Sequence, residues 1–232
     1  MPPKSVSKLV PKVPPLPGAS RRQQYSASTK RALIEVAQQL FSEQGYAGTS
    51  LDAIVAGAQV TKGALYHHFS GKQALFEAVF ERVESEATKH ITQAIKGESD
   101  PWDKALTGLR SFLDVVREPA YRRVVIQEGP AVLGYERYRE QEERSAFAVV
   151  QDIVRVVLKA GGLVDDDAMV ATFARIFFGA LQSAGESVAT AADPKAAAAR
   201  VETAVTVILS GLQALAGKGV DLSHLEPGAE IG

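Results

Sequence analysis

The chain has no cysteine among its 232 residues. That excludes disulfides, thiolate nucleophiles and cysteine-bound metals, and is compatible with the reducing cytosol. It has no run of about 18 apolar residues, so no membrane span is expected. No continuous apolar segment of the secretory kind stands near the N-terminus. No nucleophile lies beside a recognisable base and no paired-carboxylate signature is present, so enzyme chemistry has no anchor. Adjacent His67 and His68 would point about 100° apart on a helix, which makes them poor metal co-ligands. Glu86 and His90 have the spacing of a metal pair but no third ligand, so a solvated ion pair is the better reading. Asp165, Asp166 and Asp167 lack the glycine and glutamate positions of a calcium loop and suit a helix N-terminus instead. Neither a metal nor a cofactor is expected.

What is present is a globular composition, 46% hydrophobic, in a length that holds one large or two small domains. The formal charge of −1 hides an asymmetry: residues 1–72 hold nine Lys/Arg against three Asp/Glu, and residues 73–232 hold seventeen against twenty-four. A basic end on an acidic body suits a protein that docks one end on a polyanion. Part of the excess is a basic, proline-rich arm over residues 1–26, expected to be disordered. Its Arg21 and Arg22, nearest the folded part, could reach a phosphate backbone, or the arm could simply be a solvated tail.

The stretch from Ser50 to Lys72 organises the chain. Thr49 or Ser50 caps a short helix whose Leu51, Ile54, Val55 and Ala58 recur at three- and four-residue spacing. After a turn at Gln59 and Val60, Thr61 caps a second short helix. Leu65 and Phe69, four residues apart, point back at the first. Lys62, Gly63, Ala64, Tyr66, His67 and His68 remain outside. A cation, a small gap, a phenol and imidazoles suit phosphates and base edges, and the helix, about 10 Å long, fits a major groove. Ser70-Gly71-Lys72 then opens a third helix whose free N–H groups and lysine could hold a phosphate.

The run T-K-G-A-L-Y-H-H-F-S-G-K-Q-A-L-F closely resembles the recognition-helix signature of the TetR family of transcriptional regulators. The preceding F-S-E-Q-G-Y-A-G-T-S-L-D-A-I resembles that family's first two helices, and the likeness runs ungapped from about Thr29 to Val79. Two positions depart from it. Gln59 stands where the family usually has glycine, and a left-handed backbone costs glutamine about 1 kcal/mol. Val55 stands where a small alanine is common, so the first and third helices could pack further apart. The resemblance implies an all-α fold: an N-terminal three-helix helix-turn-helix DNA-binding domain over 27–87, a helical effector-binding and dimerisation domain over 88–217, and a tail over 218–232. It implies DNA contacts drawn from Thr49, Ser50, Thr61, Lys62, Gly63, Ala64, Tyr66, His67, His68 and Lys72. Lys62 is the first candidate for a guanine edge, and Tyr66, His68 and Lys72 are candidates for phosphates.

Within the first helix, Ser28 to Gln44, Leu33, Ala37, Leu40 and Phe41 form the buried stripe, with Ser28 or Thr29 as a cap or a phosphate contact and Gly45 past the end. A helix is expected to run to Lys96, another from Asp100-Pro101, and a short one over Tyr121 to Gln127 ended by Gly129-Pro130. One long charged helix is expected from Tyr135 to about Ala160. The run P-A-V-L-G-Y-E-R-Y-R-E resembles one in the ligand domains of some actinobacterial-type family members. The last two helices, about Asp166–Thr190 and Pro194–Ala216, are apolar over more than one face, which usually means two layers to satisfy. The family resemblance implies that the second layer is another copy, giving a homodimer. Trp102, Phe112, Tyr121, Tyr135, Tyr138, Phe147, Phe173 and Phe177 could line an effector cavity or fill the core.

The expected function is a cytoplasmic, ligand-responsive repressor that binds a pseudo-palindromic double-stranded operator as a homodimer and is released by an apolar or amphipathic small molecule. The other reading is a helical small-molecule or protein-binding module whose DNA-binding end, hinted at by Gln59, has degenerated.

Overall fold

The computed structural model describes residues 21–223, and every regular element among them is helical. Ten α-helices are α1 (Arg21–Gly48), α2 (Leu51–Gly57), α3 (Lys62–His68), α4 (Lys72–Ile95), α5 (Pro101–Arg117), α6 (Gly129–Leu133), α7 (Tyr135–Arg144), α8 (Ala146–Ala160), α9 (Asp167–Thr190) and α10 (Pro194–Gly217). A π-helix, Tyr121–Glu128, stands between α5 and α6.

Short polar side chains set five of the ten α-helix starts. Ser50 Oγ accepts from Ala53 N and Thr61 Oγ1 from Ala64 N, each at 3.1 Å. Asp100, Asp166 and Asp193 cap α5, α9 and α10 in the same way. Such a cap contributes about 1 kcal/mol. Asp166 therefore takes the capping role rather than a calcium-binding one.

Several expectations are corrected. Helix α1 is already formed at Arg21, so residues 21–26 of the expected arm are helical. Ser28 and Thr29 lie inside it: Ser28 Oγ donates to the Tyr25 carbonyl at 2.8 Å, and Thr29 is buried. The rest of the arm lies outside the described residues, as do residues 224–232 of the tail. The tail begins packed, with Leu222 buried and its N–H donated to the Leu163 carbonyl at 2.7 Å. Gly129-Pro130 does not stop the chain, because Pro130 occupies the first turn of α6, where a missing N–H costs nothing. The long helix expected from Tyr135 breaks at Ser145. The Ser145 hydroxyl reaches both the Gln141 carbonyl, at 3.1 Å, and the Glu84 carboxylate, and back-bonding of this kind bends helices. Glu86 pairs with Arg82 at 2.9 Å rather than with His90.

Helices α1 to α3 share one core with much of the body. Leu33, Phe41, Ile54, Leu65, Phe76, Phe80, Val116, Val124 and Val188 belong to a single buried cluster. Phe76 sits edge-on to Phe41 and Tyr46 at 5.2 and 5.3 Å. A second cluster, built on Val154, Leu158, Leu163 and Val170, lies towards the far end. The joint between the two ends is polar and specific. Glu128 Oε2 accepts the Tyr46 N–H at 2.7 Å while Arg123 Nε donates to Glu128 Oε1 at 3.1 Å. Gly45 makes room for it. Its φ of 75° and ψ of 172° suit glycine alone, and a Cβ there would lie 2.4 Å from Arg123 Nη2 and 2.5 Å from Glu128 Oε1.

At the helix-helix turn, Gln59 has φ 55°, the one positive φ of a non-glycine residue among the described residues. The turn keeps its left-handed shape and glutamine bears the strain. Gln59→Gly is expected to stabilise the fold by up to about 1 kcal/mol, less what glycine adds to the entropy of the unfolded chain. Paired denaturant titrations check this, and a loss of stability would show that Gln59 makes a compensating contact.

Candidate nucleic-acid interface and enclosed cavity

Helix α3 buries Leu65 and leaves Lys62, Gly63, Tyr66 and His67 exposed, with Ala64 and His68 half-buried. Leu65, Phe69 and Ile54 anchor it in the core, which fixes which face meets solvent. Lys62 Nζ lies 2.7 Å from Asp52 Oδ1 on α2, and this hydrogen bond, aided by the carboxylate's charge, raises the lysine pKa. The ammonium therefore stays charged and is steered by a neighbour on the preceding helix. His68 is held below the ordinary histidine range by burial, then by His67 and Lys30, so it favours the neutral form and suits a phosphate less than expected. Lys72 stands over the Tyr46 ring, 4.3 Å from its centroid, in the first turn of α4. Ser50 and Thr61 remain exposed as caps. Thr49 does not: it is buried and its hydroxyl donates to the Gly45 carbonyl at 2.8 Å, bracing the kink at Gly45 inside α1. The structure thus brings all the expected contacts except the Thr49 side chain to one end.

The body holds a part-open cavity of about 580 Å³ walled by α4 to α10 and the π-helix. That volume suits a drug-sized molecule. Of the expected aromatic set, Phe112, Tyr121, Tyr138 and Phe177 are on its wall. Trp102, Phe147 and Phe173 are not; they pack half-buried against the second core cluster. Tyr135 is 72% exposed at the start of α7. The residues that sequence reasoning missed are Phe178, Gln182 and three acids, Glu84, Glu142 and Glu186. Glu84 and Glu142 are buried, at 3% and 7% exposure. Tyr121 Oη donates to Glu84 Oε1 at 3.2 Å, Ser145 donates to its other oxygen, and Gln182 donates to Glu142. Burial pushes the Glu84 carboxyl up to about 7, the Ser145 hydrogen bond opposes the rise and the Glu142 charge adds to it. Burial likewise raises Glu142 and, with the nearby acids, the Tyr121 and Tyr138 phenols. A carboxylate inside an apolar stripe was the available signal: Glu84 stands four residues after Phe80 and seven before Ile91.

The last two helices each leave an apolar stripe outside. Ile176, Gly179, Ala180 and Ser183 are exposed on α9, and Ala204, Val207, Ile208 and Gly211 on α10. Helix α10 is, by length and composition, long and apolar enough to cross a bilayer, with only 11% of its apolar window buried. Lys195, Arg200, Glu202 and Gln213 interrupt its apolar residues, so it holds no unbroken run of about 18.

A solvent-facing cationic helix in a helix-turn-helix, joined through α4 to a helical body with a part-open cavity, is an arrangement that suits a DNA-binding transcriptional regulator. Comparison with known proteins points the same way. The family model described as bacterial regulatory proteins, tetR family, matches residues 33–79, and that for the tetracyclin repressor-like C-terminal domain matches 102–212. The chain belongs to the TetR family, whose members are transcriptional regulators rather than enzymes. It is 30% identical over 116 residues to the transposon Tn10 TetC protein of Escherichia coli, covering 50% of this chain and 58% of that one. It is 42% identical over 67 residues to the regulator AcrR of Shigella flexneri, covering 29% and 31%. The matches thus span less than two thirds of these relatives' own length. A TetR-family regulator from Pectobacterium atrosepticum has a similar structure, with TM-score 0.72, 29% identity, and 84% and 97% of the two chains covered. RolR, solved with resorcinol, shares the fold at TM-score 0.61 and 21% identity, covering 86% and 98%.

Proposed function

We propose that the protein is a ligand-responsive repressor that binds a pseudo-palindromic operator as a homodimer. The observation that carries this reading is the double membership of α4. Its first turn stands beside the recognition helix, and its middle, at Glu84, Ala87 and Ile91, walls the cavity. A molecule in the cavity that favours one setting of α4 shifts the population between DNA-competent and DNA-incompetent forms. The exposed stripes of α9 and α10 face a second copy, which sets two α3 helices about 34–36 Å apart in successive major grooves. Polar and charged neighbours on α10, such as Glu202 paired with Arg110 at 2.6 Å, fit a protein partner better than lipid. Such a regulator works in the cytoplasm, where its DNA is.

Lys62 reads a guanine edge, Gly63 and Ala64 permit close approach, His67 lies beside the bases, and Tyr66 and Lys72 hold phosphates. The test is fluorescence anisotropy with the duplex upstream of the protein's own coding sequence, a scrambled duplex and several salt concentrations. Salt-sensitive binding to the first duplex is expected, weakened about tenfold or more by Lys62→Ala. Absence of binding at low salt to any member of a random duplex pool would sink the repressor reading and leave a helical binding module.

A further inference from the structure

The cavity wall carries Glu84, Glu142 and Glu186, and no lysine, arginine or histidine. The hydrogen-bond partners of the two buried acids, Tyr121, Ser145, Gln182 and Tyr138, are all neutral. Arg139, which favours the charged form of Glu142, lies on the exposed side of α7, bonded to Glu143 and Tyr135. Buried carboxylates without a hydrogen-bonded cation are costly, and a cation of the right shape removes the cost. The rest of the wall is apolar and aromatic, with the rings of Phe112, Tyr121, Tyr138, Phe177 and Phe178 able to face a positive charge. A bare metal ion is the wrong occupant: no group of three or more acidic, histidine or cysteine side chains among the described residues is placed to hold one.

Resting on the effector-site reading above, we propose that the effector is an organic cation, an aromatic or branched apolar body whose amine, guanidine or quaternary group sits against Glu84 and Glu142. Anionic amphiphiles such as carboxylates and phosphate esters gain nothing from the same two acids, whose ionised form, among charged ligands, only a cation stabilises. Glu84 lies on α4 and Glu142 on α7, so a cation between them draws on the helix that carries Lys72 at its other end.

The full-length protein is tested with three probes: N-phenyl-1-naphthylamine, neutral and fluorescent when bound in apolar surroundings, and the isosteric ions tetraphenylphosphonium and tetraphenylborate. The naphthylamine is expected to bind, to be displaced by the phosphonium, and to resist the borate. Glu84→Gln and Glu142→Gln each lower phosphonium affinity by about tenfold or more and leave the naphthylamine unchanged. Equal displacement by both ions, stronger displacement by the borate, or phosphonium affinity unmoved in both variants overturns the cation proposal while leaving the cavity as an effector site. Failure of all three probes to bind overturns the effector-site reading together with the proposal.

Discussion

Replacing Val207 and Ile208 together by glutamate is expected to turn a dimer into a monomer in sedimentation velocity and to weaken operator binding by about a hundredfold or more. The two side chains are 67% and 51% exposed, so the fold has little to lose from the change. A self-complementary interface loses twice, because the two-fold axis repeats each substitution on the partner. Like charges then meet across a surface that was apolar. The loss in DNA affinity follows without any change at the DNA: the second half-site no longer benefits from the local concentration that the first provides. Retained helicity with lost dimerisation is the informative result. A variant that remains dimeric would place the interface elsewhere.

The second large effect concerns pH. Glu84 has a carboxyl whose folded value, about 7, lies above its ordinary 4.5. The unfolded chain releases this proton at lower pH than the folded one, so between roughly these values the folded state binds more protons and stability falls as pH rises. The full shift corresponds to about 3 kcal/mol, present below pH 4.5 and lost by somewhat above pH 7. Glu84→Gln cannot ionise and lacks this decline. The variant is therefore expected to match the wild type near pH 4.5 and exceed it in stability by about 3 kcal/mol near pH 8, in denaturant titrations across that range. The groups around Glu84 act in the same comparison: Tyr121 on the π-helix, Ser145 after α7, Tyr138 and Glu142 on α7, and Glu186 on α9. Glu142, also raised by burial, contributes a slope of the same sign, and because its charge adds to the Glu84 rise the two titrate as a coupled pair, so Glu84→Gln also eases the ionisation of Glu142. Parallel stability curves would mean that Glu84 is solvated and ordinary.

The DNA-reading end was legible from the sequence because its determinants are local. Ser50 and Thr61 announce two helix starts within a dozen residues, and Leu65 and Phe69 fix the buried face of the second. Gln59 stood out there too, and its left-handed backbone is present as the turn requires. The cavity was legible only in outline. An aromatic residue on a helix declares that it will be buried, but the angle between neighbouring helices decides whether it fills a core or faces a void. Trp102 and Phe173 went one way, Phe112 and Phe177 the other. The π-helix was illegible because one extra residue per turn leaves little trace in hydrophobic spacing. The break at Ser145 was missed because one of the two groups its hydroxyl reaches, Glu84, lies some sixty residues earlier. Glu142, in a charged run, resembles a solvated side chain until tertiary packing covers it, whereas Glu84 stood inside an apolar stripe.

The exposed pairing of Lys62 with Asp52 bears on how such a protein would search a genome. If Lys62 meets DNA as proposed, the carboxylate would offset part of its attraction to phosphate on random duplex, so this position would release fewer counterions and add less to dwell time at wrong sites. A base edge that offers two acceptors competes with Asp52 where a lone phosphate does less well. In the proposed complex the acid beside Lys62 would shorten each futile visit, so the time to locate an operator would depend on Asp52 as well as on Lys62.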